Sequence, residues 1–316
     1  MQHILWKRRG GGQCMDLVRE QLHASYAYER GCFGEAVGVA VLDSGIAWEH
    51  PDLKGRVAYA KAFGSQGSTA DICGHGTHIC GIIGGSGAAS GGKYQGLAPR
   101  CHFLSLKVLD ERGNGRAKDV VEALGWLKEH GMEYNIRLVN ISMGGVMEKE
   151  EAEELLRAVE LIWNAGFVVC AAAGNQGPAR QSITVPGTSR KVITVGSCDD
   201  EKPVHVSGRK KVHYSGRGPT GACICKPDVV APGFHIMSCN AKWRQKAAVP
   251  YCAKSGTSMA TPVVCGALAL LLSQRPEMTN KEVKLCLSHS CQDLGLPQNQ
   301  QGWGKIWIPG LLKEGR

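Results

Sequence analysis

Short runs of β-branched and apolar residues alternate along the chain with longer segments whose apolar positions recur at helical spacing. Residues 37–42 (VGVAVL) form a run of the buried-strand kind that ends in Asp43 and the turn Ser44-Gly45. Further runs at 103–109, 137–141, 167–172 and 192–195 predict more strands. Between them, 116–130 reads as an amphipathic helix and 149–164 as an acidic one. A helix of small residues begins at His75, an apolar helix covers 257–273, and a last helix opens with the capping box Thr279 and Glu282. Strands and helices in alternation predict an α/β fold, a doubly wound and mostly parallel sheet with helices on both faces.

Three of these elements begin or end on reactive side chains. Asp43 falls at the carboxyl end of its strand, the edge of an open parallel sheet where ligands and catalytic groups gather. His75 falls at the start of its helix, in Gly74-His75-Gly76-Thr77-His78. Ser258 falls at the start of the apolar helix, in the stretch SGTSMATP from Ser255 to Pro262. Pro262 is tolerated only near that start, where it removes the donor that would have bonded to the Ser258 carbonyl. The helix dipole turns its positive end toward the serine. Each feature alone has a structural explanation, as a turn carboxylate, a surface histidine or a tight turn into a packed helix. An Asp, a His and a Ser in this order, each at an element terminus, are harder to explain that way.

With these local sequences the order resembles the subtilisin-like serine proteases, over residues 35–290. The motifs that carry the resemblance are DSGI and HPDL (Asp43–Ile46, His50–Leu53), HGTH (His75–His78), SMGG (Ser142–Gly145), AAAGNQG (Ala171–Gly177), PDVVAPG (Pro227–Gly233) and SGTSMATP. The stretch GPTGACICKPDVVAPG is most similar to the intracellular bacterial branch. The resemblance implies Ser258 as nucleophile, His75 as its base and Asp43 as the group that orients the imidazole. It also implies that Asn175, in Gly174-Asn175-Gln176-Gly177, forms an oxyanion hole with the Ser258 backbone N–H. A peptide substrate would then lie extended between Ser142, Met143, Gly144 and Gly145 on one edge and Gly113, Asn114 and Gly115 on the other. The first specificity pocket would be walled by 142–145 and by Ala171, Ala172, Ala173 and Gly174, and rimmed by residues 185–188. The implied function is that of an intracellular serine endopeptidase. A protease dedicated to one partner has the same triad and cleft; a scaffold that binds peptides without cutting them calls for loss of a triad residue, and none is lost.

Composition adds limits. A chain of 316 residues is long enough for one large domain with a sizeable core. The expected division is an N-terminal extension over 1–34, too short for a foldase-type prodomain, a catalytic domain over 35–290, and a tail over 291–316 packed on it. The net charge of +9 is dispersed, and its densest cluster, Lys7-Arg8-Arg9, is not interleaved with aromatics, which excludes a nucleic-acid partner. There is no apolar stretch of signal-peptide or membrane-span length, so the expected location is the cytoplasm, without membrane contact, as a monomer. The 14 cysteines are scattered, with Cys80, Cys170 and Cys265 inside apolar segments, and Cys223-Ile224-Cys225 lacks zinc spacing. No metal or cofactor is required. The glycine-rich stretch 84–92 follows a helix, which excludes a phosphate loop. By the resemblance, it lies where secreted members bind a tight calcium. It carries no carboxylate or amide side chain, and Asp52 would be a single ligand, so calcium is not supported.

Overall fold

A computed structural model describes residues 14–64, 67–206 and 209–313. The chain runs through α1 (Met15–Gln21), α2 (Ser25–Tyr28), β1 (Gly38–Asp43), β2 (Val57–Ala62), α3 (His75–Gly84), β3 (His102–Lys107), α4 (Ala117–His130), β4 (Ile136–Ile141), α5 (Lys149–Asn164), β5 (Val168–Ala172) and β6 (Ile193–Ser197). It continues through β7 (Val204–Val206), β8 (Arg209–Lys211), β9 (Val229–Ala231), β10 (Ile236–Cys239), β11 (Tyr251–Lys254), α6 (Thr257–Gln274), α7 (Asn280–Ser290), α8 (Gln298–Gln301) and α9 (Ile308–Leu312).

Seven strands form one sheet in the order β2-β3-β1-β4-β5-β6-β9, every pair parallel. The chain leaves β1 toward one edge and returns past it toward the other, so β1 lies at the switch point where the loops diverge and open a crevice. All six residues of β1 are buried, which is why its sequence is a continuous apolar run until Asp43. Helices cover both faces; α6 lies across β4, β5, β6 and β9 with α3 packed against it, and α4 and α5 pack together and meet the sheet at β5. Among the described residues α6 is the one helix long and apolar enough to cross a membrane, and 83% of it is buried as the central helix of the core.

The expected strands and helices are all present within a few residues of their predicted ends. Six strands escaped the apolar-run criterion. β2 is a half-exposed edge strand carrying Tyr59 and Lys61, so it shows no continuous run. β9 is three residues inside PDVVAPG, and the antiparallel pairs β7–β8 and β10–β11 stand outside the main sheet, held by local pairing. The two ends of the described chain pack into the same core. Met15, Val18 and Leu22 are buried, Arg19 donates to the carbonyls of Gly92 and Gln95, and Ile308 N donates to Leu22 O at 3.2 Å.

Candidate active site

The carboxyl end of β1 and the start of α3 bring Asp43 and His75 together. The Asp43 side chain is buried, and its oxygens lie 2.8 and 2.9 Å from His75 Nδ1. A carboxylate only accepts, so Nδ1 carries the proton and Nε2 is left as the basic nitrogen. Asp43 Oδ1 also accepts from Ser44 N at 2.7 Å and Ser44 Oγ at 3.2 Å. Burial pulls the imidazole toward its neutral form, but the charge and hydrogen bond of Asp43 oppose it, and the His75 pKa ends above its ordinary value. Gly76 permits this approach, because a Cβ there would stand 2.2 Å from the Gly45 carbonyl oxygen.

A second buried carboxylate fixes the turn. Asp71 Oδ1 accepts from Gly74 N at 2.7 Å and from Ser44 Oγ at 2.8 Å, while Oδ2 accepts from Thr77 N at 2.8 Å and Thr77 Oγ1 at 2.6 Å. Asp71 thus ties the first turn of α3 to the end of β1. Sequence reasoning missed it, although an acidic residue four positions before the histidine was a usable signal for a capping group.

On the other side of the crevice, Gly256 enters α6 at φ +136°, a conformation that favours glycine, and sets Thr257 against Asn175. Asn175 Oδ1 accepts from Thr257 N at 3.0 Å and from Thr257 Oγ1 at 3.1 Å. With Oδ1 held, Nδ2 is the end left to donate. Gly174 N donates to Thr257 Oγ1 at 3.2 Å, so one hydroxyl links both strands of the turn. Thr257 was not singled out from the sequence, because its role depends on a residue 82 positions away.

His75, Asn175, Thr257 and Ser258 line one cavity of about 390 Å³. Among the described residues no hydrogen bond joins Ser258 Oγ to His75 Nε2, a contact that commonly tightens only with substrate present. Gly113, Ser142, Met143, Gly144, Ala172 and Gly174 line the same cavity. Asn114, Gly115 and Gly145 instead line an adjoining cavity of about 600 Å³. Two expectations change. Ala171 and Ala173 are fully buried behind the wall, and the Ala173 carbonyl accepts from Thr184 N at 3.0 Å. The expected rim residues Val185 and Pro186 line the larger cavity, since the Gly145–Val185 bridge draws that loop outward, and Thr184 takes the place beside Ser258. Cys73, Arg112 and Gln176 also face the catalytic cavity and were not among the expected substrate-binding residues.

Other polar groups nearby are structural. His78 is buried, and its Nε2 faces the carbonyls of Ile236 at 3.0 Å and Cys252 at 3.1 Å, tying α3 to the β10–β11 hairpin. Burial above all, with Lys254 and His75 adding positive charge nearby, lowers its pKa to about 3, so it stays neutral. His50, Asp52 and Cys239 bring potential metal donors within 4.8 Å of one another, but those donors are engaged. His50 Nδ1 accepts from Asp52 N at 3.1 Å and its Nε2 faces Pro250 O at 2.9 Å. Asp52 accepts from Ala89 N at 3.0 Å and Tyr251 Oη at 2.8 Å, with the Cys239 thiol at 3.8 Å. At Asp52, the one carboxylate near the loop where the resemblance places calcium, a tyrosine hydroxyl and a backbone N–H thus point donors where a cation would need acceptors.

A parallel α/β sheet that presents Asp, His and Ser, in that chain order, to one crevice at its carboxyl edge is the architecture of the subtilisin-like serine proteases. A profile of the subtilase family, one of peptidases, matches residues 34–304, and the chain belongs to that family. It is 39% identical over 292 residues to serine protease AprX of Bacillus subtilis (strain 168), covering 87% of this chain and 66% of that protein. It is 33% identical over 296 residues to a thermostable alkaline protease of Halalkalibacterium halodurans, covering 93% of this chain and 71% of that one. The chain spans about two thirds of the length of these curated relatives. Among solved structures, sphericase superposes with a TM-score of 0.73 at 26% identity, covering 87% of this chain and 92% of that chain. The S41 psychrophilic protease superposes with a TM-score of 0.71 at 29% identity over the same shares.

Proposed function

We propose that this chain is a serine endopeptidase in which Ser258, His75, Asp43 and Asn175 carry acyl transfer. The observation that carries the reading is the Asp43–His75 pair at 2.8 Å, whose His75 lines one cavity with Ser258 and an Asn175 already turned by Thr257. Ser258 Oγ attacks the peptide carbonyl carbon while its proton passes to His75 Nε2, and Asp43 stabilises the imidazolium so formed. The oxyanion takes hydrogen bonds from Asn175 Nδ2 and the Ser258 backbone N–H, at the positive end of α6. His75 then returns the proton to the departing amine, and water, activated by the same base, releases the acyl group.

The substrate is a peptide held extended along 142–145 and 113–115, whose backbone groups line the two cavities. No cofactor enters these steps. Support for a reducing, cytoplasmic setting comes from the cysteines, all 14 of which are free, with six of them buried in the core. The protein is proposed to act as a monomer. The test is labelling with a fluorophosphonate together with hydrolysis of a mixed peptide library, wild type against Ser258→Ala. Label and cleavage in the wild type, both absent from a folded Ser258→Ala, are expected; a labelled variant would place the nucleophile elsewhere.

A further inference from the structure

The cavity beside the catalytic one is larger than it and differs in charge. Its floor is apolar, formed by Leu109, Val120, Ile141 and Leu155 with Met143 and Met147 at the sides. Glu148 and Glu151 stand at its rim, both exposed. Glu148 occupies the position preceding α5, yet its side chain makes no capping hydrogen bond, and among the described residues neither carboxylate has an ion-pair partner. The cations close by are committed elsewhere. Arg116, which also lines the cavity, holds Asp119 through Nε at 3.0 Å and Nη2 at 2.6 Å, and Lys149 is directed to Glu153. The catalytic cavity carries the opposite sign, with Arg112 on its wall.

We propose that Glu148 and Glu151 make this distal cavity select a substrate side chain with a long apolar stem and a cationic end, lysine or arginine, lying some residues away from the scissile bond. This deepens the peptidase reading and rests on it for the direction of the cleft. The stem removes the apolar floor from water while the charge stays at the rim, the arrangement that long basic side chains adopt at apolar surfaces. Arg112 repels the same charge from the proximal cavity, so the two cavities set a register for the peptide as well as a preference. Glu148 and Glu151 are thereby specificity-determining residues, with no part in bond breaking.

The measurement is a set of internally quenched peptides in which Arg, Lys, Leu, Phe and Glu are placed in turn at each position flanking the cleaved bond. The wild-type chain is compared with Glu148→Gln/Glu151→Gln and with Glu148→Lys/Glu151→Lys. At one position, kcat/KM for Arg or Lys should exceed that for Leu by about tenfold, the sum of two exposed ion pairs. The glutamine variant should bring that ratio toward one, and the lysine variant should favour Glu, a reversal that only a folded enzyme can show. Direct binding of the same peptides to Ser258→Ala, followed by fluorescence anisotropy, reads the preference whether or not the chain cleaves them. Binding with the expected preference but no wild-type hydrolysis would overturn the catalytic reading and keep this one. Equal binding of Arg and Leu peptides, or a preference unchanged in both glutamate variants, would overturn this one.

Discussion

At the scale of single residues, the chemistry depends on which groups His75 and Asn175 face. As the proposed base, His75 must be neutral at Nε2 to accept the serine proton, and the Asp43 carboxylate raises its pKa despite burial. The acid limb of kcat/KM should therefore inflect above the ordinary histidine value of about 6.5, with activity rising as pH passes through it. In Asp43→Asn the opposing charge is gone and burial remains, so the residual activity should inflect at lower pH than the wild type; a pH profile of both from about 5 to 9 checks this. In the proposed mechanism Asn175 meets the oxyanion only once it forms. Asn175→Ala should accordingly lower kcat by about 10²- to 10³-fold with KM nearly constant. A rise in KM at unchanged kcat would make Asn175 a ground-state or turn residue.

At the scale of elements, α3 must approach its neighbours closely for His75 to reach Asp43. Gly81 lies where α3 crosses β10, and a Cβ there would stand 2.3 Å from Ser238 Oγ and 2.9 Å from the Cys239 backbone N. The side chain of Ser238 is itself held, donating to His78 O at 2.8 Å. Gly81→Ala should therefore destabilise the protein by about 1–3 kcal/mol, the usual cost of overpacking, and shift the start of α3. Thermal unfolding measures the first effect, and kcat/KM the second, since misplacement on the order of 1 Å costs about 10²-fold in rate. Wild-type stability and rate in Gly81→Ala would show that α3 and β10 have room to separate.

For the whole molecule, the prediction concerns what ties the loop after α3 to the body. Asp52 joins that loop, through Ala89 N, to the β10–β11 hairpin, through Tyr251. Polar contacts occupy the place of a cation, so calcium chelators should leave the melting temperature unchanged. Asp52→Ala strands the buried Tyr251 hydroxyl, at a cost of about 1–3 kcal/mol, and should lower it. A chelator-induced drop reversed by calcium would contradict this account.

Asp43, His75, Ser258 and Asn175 were legible because each lies within a short local motif at the end of a strand or the start of a helix. The parallel sheet was equally legible, since strands buried on both faces must be continuous apolar runs. Local sequence therefore determined the elements, their order and the side chains offered at their ends. The tertiary structure alone decided what those side chains meet. Thr257 holds Asn175, Asp71 clamps α3 to β1, Tyr251 reaches Asp52 from 199 positions away, Ala173 withdraws behind the wall, and Thr184 stands where the 185–188 rim was expected. Such contacts join residues far apart in the chain, and their distances follow from how helices pack across the sheet. No periodicity or motif encodes that packing, because it depends on the shapes of all the buried side chains at once.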